Sequence, residues 1–243
     1  MQEINEIQKQ IERFISYFQN KYEIIKETKF KANDELFKKI LYIGIIDALS
    51  KTIFPRKRTR ERFVSFLEKY SEWKLSNRIS LPHLVRLLEF TPEPEYSKLR
   101  EFAFSAYGQW PPGEIVSLEK DPEFEEVEKY WPRGQENIEP IKGVKLLSLK
   151  HIHLFCTYRN SLIHELRNLA YGMEEVALEK EPSYHGLMTE DGGNIWQLVY
   201  PLGFFENICE TCLKNLEKYL TSNNINPYNS FNSGYYWKEE LNQ

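Results

Sequence analysis

The apolar residues near the start of this chain fall at Ile4, Ile7, Ile11, Phe14, Ile15, Phe18 and Tyr22. That three-and-four spacing gathers side chains into one stripe on an α-helix and scatters them over both faces of a strand. It predicts a long amphipathic helix over residues 3–27. Similar stripes recur along the chain, and only 11 Gly interrupt its 243 residues, so helix is the leading class. With 41% hydrophobic and 28% charged residues, the chain has the balance of a globular protein with a core, not of a disordered one.

Asn33 and Asp34 are placed to cap a second helix that runs to about Phe54, where Pro55 stops it. Thr59 to Trp73 reads as a third helix with the stripe Phe63, Phe66, Leu67 and Tyr70. Ser80-Leu81-Pro82 opens a short fourth helix that ends before Pro92. Residues 106–144 change character. Trp110-Pro111-Pro112-Gly113 and Trp131-Pro132-Arg133-Gly134 are turn signals around an acidic stretch, so an irregular insertion or linker is expected there. Leu147 to about Leu178 reads as one long helix. Asp191-Gly192-Gly193-Asn194, between Tyr184–Met188 and Ile195–Tyr200, predicts a hairpin. Pro201 starts a last helix with the stripe Phe204, Phe205, Ile208, Cys209, Cys212, Leu213 and Leu216, and the tail ends in Asn/Ser clusters and Tyr235-Tyr236-Trp237. The expected fold is a mostly α helical bundle with a small β-hairpin and an irregular central insertion. Its organisation is 1–105 (N-terminal helices), 106–144 (insertion) and 145–243 (C-terminal helical region), with the two helical regions free to form one domain.

Several function classes lose support at this stage. The N-terminus, Met1-Gln2-Glu3-Ile4-Asn5-Glu6, lacks the basic start and apolar run of a signal peptide. The apolar run Ile40–Leu49 is broken by Gly44 and Asp47, far short of the ~20 residues of a spanning helix. Three cysteines are too few for a disulfide framework, so a reducing cytoplasm is expected. The net charge of −4 argues against a general nucleic-acid coat, while leaving room for a local basic site.

The chemistry concentrates in one segment. On a helical wheel, Ile152, Phe155, Cys156, Leu162, Ile163, Leu166 and Ala170 share one arc. His153, Thr157, Asn160, His164 and Arg167 share a neighbouring polar arc. Arg159 projects from the centre of the apolar arc, where a guanidinium is expensive to bury unless a carboxylate, phosphate or partner chain receives it. A structural Arg, paired internally or snorkelling to the edge, is the plain alternative.

The run Arg159-Asn160-Ser161-Leu162-Ile163-His164, followed by Glu165, resembles the defining motif of the HEPN family: an Arg, often followed by a polar residue, and a His after four to six further residues. The direct match covers about residues 150–175. The resemblance implies a helical bundle that dimerises so that two motifs meet in a cleft, and a metal-independent endoribonuclease with no cofactor and no bound metal. It implies His164 as general base or acid on the ribose 2′-hydroxyl or the leaving oxygen, Arg159 as phosphate clamp, and Asn160 as the residue orienting His164 or the phosphate. RNA, a second copy of the chain, and a toxin–antitoxin or phage-defence partner are the implied partners, with no membrane. Some members carry a Tyr two residues after the His, which a partner nucleotidyltransferase modifies. Leu166 stands there, which puts that control in doubt. Other members use the same bundle as a noncatalytic binding module, and a purely structural scaffold is a third reading.

The basic run Pro55-Arg56-Lys57-Arg58-Thr59-Arg60-Glu61-Arg62 offers an RNA phosphate track, with Arg56, Lys57, Arg58 and, from the polar arc, Arg167 as substrate-binding candidates. A solvated helix start is the plainer reading of the run and is slightly favoured, because basic loops are common. Cys209-Glu210-Thr211-Cys212 has half the ligands of a structural zinc site, with His151 and His153 as remote helpers. Helical spacing among apolar neighbours favours two buried thiols instead. Trp110, Trp131, Trp196 and Trp237 are base-stacking candidates but read more readily as packing anchors. His83 and His185 are isolated in the sequence and receive no role.

Overall fold

The computed structural model describes residues 2–133, 139–167, 180–188 and 194–231. The fold is mostly helical with one small antiparallel sheet. The elements are α1 (Gln2–Glu27), α2 (Asp34–Ile53), α3 (Thr59–Tyr70), α4 (Leu81–Glu89), α5 (Ser97–Tyr107), β1 (Ile115–Ser117), α6 (Phe124–Glu128), α7 (His151–Glu165), β2 (Ser183–Met188), β3 (Asn194–Val199) and α8 (Leu202–Ser222). Among the described residues no helix is long and apolar enough to cross a membrane.

The chain divides into two compact units, residues 1–72 with 205–243, and residues 73–204. In the first, the stripe expected on α1 is the buried face: Ile11, Phe14, Ile15, Phe18 and Tyr22. Phe63, Phe66, Leu67 and Tyr70 of α3 are buried too, as are Ile208, Cys209, Cys212, Leu213 and Leu216 of α8. The 3₁₀ turn Pro227–Asn229 brings Tyr228 against Phe14, ring centroids 6.0 Å apart. One expected cap differs. Asn33 makes no side-chain cap bond and takes a left-handed backbone (φ 53°), while Asp34 accepts from the Phe30 N–H at 2.7 Å. The carboxylate therefore closes the turn before α2 instead of capping the helix from its end.

In the second unit the sheet order is β1-β2-β3, with Tyr184 paired to Leu198 and Val116 to Tyr184. β2 and β3 are the expected hairpin; its Gly192-Gly193 turn lies outside the described residues, as do Ala170, the rest of 168–178, Gly134 and Trp237. The stretch 106–144, expected to be irregular, supplies the end of α5, strand β1 and helix α6. Its Trp110, Val116, Leu118, Val127, Trp131 and Ile141 are buried in one core with Leu84 and Leu88 of α4 and Leu99 of α5. Apolar side chains spaced between turns still bury their area when the turns fold them onto a helix pair.

The long helix expected over 147–178 is shorter at both described ends. Leu146–Leu149 is a 3₁₀ turn, and Lys150 is extended (ψ 143°). Lys150 bridges to Ile79, and the His151 N–H donates to Arg78 O at 3.1 Å. At the other end Leu166 turns left-handed (φ 51°, ψ 38°), which stops α7 at Glu165. Leu166 is 61% exposed instead of lying on the buried arc.

Candidate functional site

α7 is held in its unit by aromatic rings. Phe155 and Tyr158 pack against Tyr200 (centroids 5.1 and 4.8 Å), and Phe155 also meets Trp73 and Phe204. Ile152, Cys156 and Leu162 complete the buried face, with Ile163 half-buried. Arg159 follows that face inward and is 8% exposed. Its Nη1 donates to Asn160 Oδ1 at 2.8 Å. Asn160 is half-buried and His164 exposed, one turn apart on the polar arc. The structure thus joins Arg159 to Asn160 and leaves His164 open to solvent in the last turn of α7. Arg167 has left the arc because the helix stops at Glu165. It is exposed, and its Nε donates to Glu165 Oε2 at 2.5 Å.

The basic candidates belong to the other unit, on the α2–α3 turn. Lys57 is tied down: its Nζ donates to Ser65 Oγ at 2.8 Å, pairs with Glu61 at 3.4 Å and lies over the Phe54 ring. Arg56 and Arg58 are exposed. The structure does not gather these three with Arg159, Asn160 and His164 into one compact unit.

A second cluster was not legible in the sequence. Ser80 N–H donates to Leu149 O (3.0 Å) and Ile79 N–H to Pro122 O (3.0 Å), so the entry to α4 is stitched to the segments before α7 and after Leu118. Those bonds bring Asp121 and His151 together, both fully buried. Three donors converge on the Asp121 carboxylate: the Leu81 N–H on Oδ1 (2.8 Å), and Tyr184 OH (2.8 Å) and His151 Nε2 (2.6 Å) on Oδ2. Ser80 Oγ stands 2.7 Å from Tyr184 OH and 2.7 Å from His83 Nδ1. Burial, and then the adjacent Asp121, push the Tyr184 phenol well above its usual range, so it stays an O–H donor.

The carboxylate sets the direction of every proton in this chain. Tyr184 spends its hydrogen on Asp121, so its oxygen accepts from Ser80, and Ser80 in turn accepts from His83 Nδ1–H. The opposite orientation of Ser80 would set two oxygen lone pairs face to face at 2.7 Å. His83 therefore carries its proton on Nδ1 and keeps the Nε2 lone pair on its outer edge. Packing around the ring, and then the nearby His151, lower its pKa to about 4 even though that edge meets solvent, so it is neutral at pH 7. His83 opens onto a cavity of about 250 Å³ walled by Leu154, Thr157 and Tyr158 of α7 and by Trp196, Gln197 and Leu198 of β3. The Ser80/His83 spacing of three is the only trace of this network in the sequence; Asp121, His151 and Tyr184 come from separate elements.

Cys209 and Cys212 are buried free thiols, and burial pushes both well above the ordinary thiol range. His151 is committed to Asp121 and belongs to the other unit. Trp110, Trp131 and Trp196 are core residues. Trp131 Nε1 donates to Glu139 O at 2.7 Å, and Trp110 meets Trp196 edge to face at 5.4 Å. No protein-family model matches the chain, and neither does any curated protein or solved structure.

Proposed function

We propose that the chain is a metal-independent endoribonuclease of the HEPN type, acting as a homodimer in a toxin–antitoxin or phage-defence setting. The observation that carries this is the presentation of the motif on α7: Asn160 bonded to Arg159, and His164 exposed one turn further on. Residues five apart on an ideal helix diverge by about 140°. Arg159 and His164 of one chain therefore converge poorly, and two facing copies of α7 supply the arginine–histidine pairing that one copy lacks. In the composite site His164 takes the proton of the ribose 2′-hydroxyl. That oxygen attacks the adjacent phosphorus, the 5′-oxygen leaves and is protonated by the second copy's imidazole, and the product is a 2′,3′-cyclic phosphate. Arg159 offsets the charge that builds on the phosphoryl oxygens. Arg56, Lys57, Arg58 and Arg167 are the proposed contacts to the rest of the RNA.

One observation favours a second reading, a noncatalytic HEPN-like module that binds a protein or nucleotide partner. Arg159 is 8% exposed with one nitrogen on Asn160, the geometry of an arginine that orders its own helix. Cleavage of labelled single-stranded RNA in EDTA separates the two, using wild type, Arg159→Ala and His164→Ala, each checked for folding. The nuclease predicts cutting by wild type and losses of at least about a hundredfold in both folded variants. Absence of cutting by wild type across several RNAs removes the enzymatic reading, and equal cutting by all three proteins removes the assignment of the site to α7.

A further inference from the structure

β1 is an edge strand. Ile115–Ser117 pairs with β2 on one side, and among the described residues no backbone group pairs with it from the other. In an antiparallel ladder alternate residues turn both N–H and C=O to the same side, so β1 holds donors and acceptors outward with no protein partner. That edge opens onto a cleft of about 1070 Å³ whose other wall is α5. Val116 lines the cleft together with Ile115 and Ser117, although its side chain is buried on the opposite face of the sheet, so the cleft meets the strand along its edge. The α5 wall is one helical face, Lys98, Phe102 and Ser105, continued past the helix end by Gln109. From Lys98 to Gln109 it runs about 16 Å, the span of about five extended residues. Phe102 and Tyr130 stack with ring centroids 5.1 Å apart, and Tyr130 and Ile115 remain exposed to a side chain that enters.

Four charged side chains border the cleft: Lys98, Glu101, Glu114 and Lys120. All four are exposed, and among the described residues none has an ion-pair or side-chain hydrogen-bond partner. Glu114 stands in the connection between α5 and β1, whereas Lys98 opens α5 and Lys120 follows β1, so the two lysines lie away from that connection along the chain. We propose that the cleft receives an extended peptide segment of a partner protein, about five residues long, which adds to β1 as a fourth strand of the sheet. Its backbone takes up the outward β1 groups, and an apolar or aromatic side chain near its middle meets Phe102, Tyr130 and Ile115. An acidic side chain at one end meets Lys98 and Lys120, and a basic one at the other meets Glu114. A second copy of this chain fits less well, because its own β1 offers three residues against the roughly five that the cleft spans. The cleft lies wholly within the 73–204 unit and does not involve α7, so the proposal stands apart from the nuclease reading.

NMR titration of the ¹⁵N-labelled full chain tests this with two capped pentapeptides, Lys-Val-Tyr-Val-Glu and its reverse Glu-Val-Tyr-Val-Lys, because the added strand can run parallel or antiparallel to β1. At least one is expected to bind with Kd of about 1 mM or tighter and to shift the amides of Ile115, Val116 and Ser117. Methylating the backbone nitrogens of its second and fourth residues blocks one edge of the peptide, and methylating the first, third and fifth blocks the other. A strand added to β1 loses about tenfold or more in one methylated form and keeps its affinity in the other. Lys98→Glu combined with Lys120→Glu weakens the peptide by about fivefold or more, and replacing the peptide's Glu by Lys restores it. Both lysines are exposed, so this variant leaves the core untouched. Absence of binding by both peptides, equal binding by both methylated forms, or no response to the lysine reversal overturns the proposal. So does a wild-type chain that sediments as a dimer and a lysine-reversed variant that sediments as a monomer, which makes a second copy the occupant.

Discussion

Replacing Asp121 by alanine removes the acceptor on which three buried donors converge: the Leu81 N–H, Tyr184 OH and His151 Nε2–H. Tyr184 has somewhere to turn, because Ser80 Oγ lies 2.7 Å away and can reverse its own proton toward His83 Nδ1 once that imidazole carries its hydrogen on Nε2 instead. Leu81 N–H and His151 Nε2–H do not. His151 gains nothing by moving its proton, since its Nδ1 is also buried without a partner. Each stranded donor costs about 1–3 kcal/mol, so the two together with the small void cost roughly 3–5 kcal/mol. That is a large share of the ~5–15 kcal/mol that separates a domain from its unfolded state. Four of the five tryptophans, Trp73, Trp110, Trp131 and Trp196, lie in the 73–204 unit, so in a Trp237→Phe background tryptophan fluorescence during urea unfolding reports on the unit that holds the network. The midpoint should fall steeply in Asp121→Ala and by about half as much in Asp121→Asn, which keeps one carbonyl oxygen as acceptor. Tyr184→Phe should cost about 1–2 kcal/mol, and the double variant should cost clearly less than the sum, because the two residues share a bond. A loss below about 1 kcal/mol in Asp121→Ala would refute the claim that these donors depend on the carboxylate.

Two further outcomes follow from local geometry. Leu166 holds a left-handed backbone that glycine adopts freely, and its side chain is mostly exposed, so Leu166→Gly should raise the thermal midpoint by the equivalent of up to about 1 kcal/mol; a lowered midpoint would mean that the Leu166 side chain has a packing role. Cys156, Cys209 and Cys212 are buried, so an aromatic disulfide reagent should react with none of them before unfolding. Because the folded pKa values of Cys209 and Cys212 lie above the unfolded thiol value, the stability they contribute is present below about pH 8.5 and is lost as pH rises beyond it, and the alkaline limb of the stability profile should flatten in Cys209→Ala, provided the variant folds.

The amino-acid sequence by itself determined what depends on neighbours along the chain. The stripes of α1, α3 and α8 were legible because a helix repeats every 3.6 residues, so spacing alone decides which side chains share a face. The two strands Ser183–Met188 and Asn194–Val199 were legible because turn residues separate two short apolar runs. The Arg159–Asn160–His164 segment was legible as a pattern, and so was the cost of placing a guanidinium on an apolar arc. Tertiary structure decided the rest. Nothing near Leu166 in the sequence announces a left-handed stop, since leucine pays steric energy there and accepts it only when the surrounding chain requires the turn. Residues 106–144 look like a linker because their turns are local, while the burial of Trp110, Val127 and Ile141 depends on helices distant in sequence. His83 looked isolated for the same reason. Its proton is placed by Asp121 through Tyr184 and Ser80, over hydrogen bonds that join residues 63 and 104 positions apart and exist only once the core has closed around them, and no periodicity records a contact of that range.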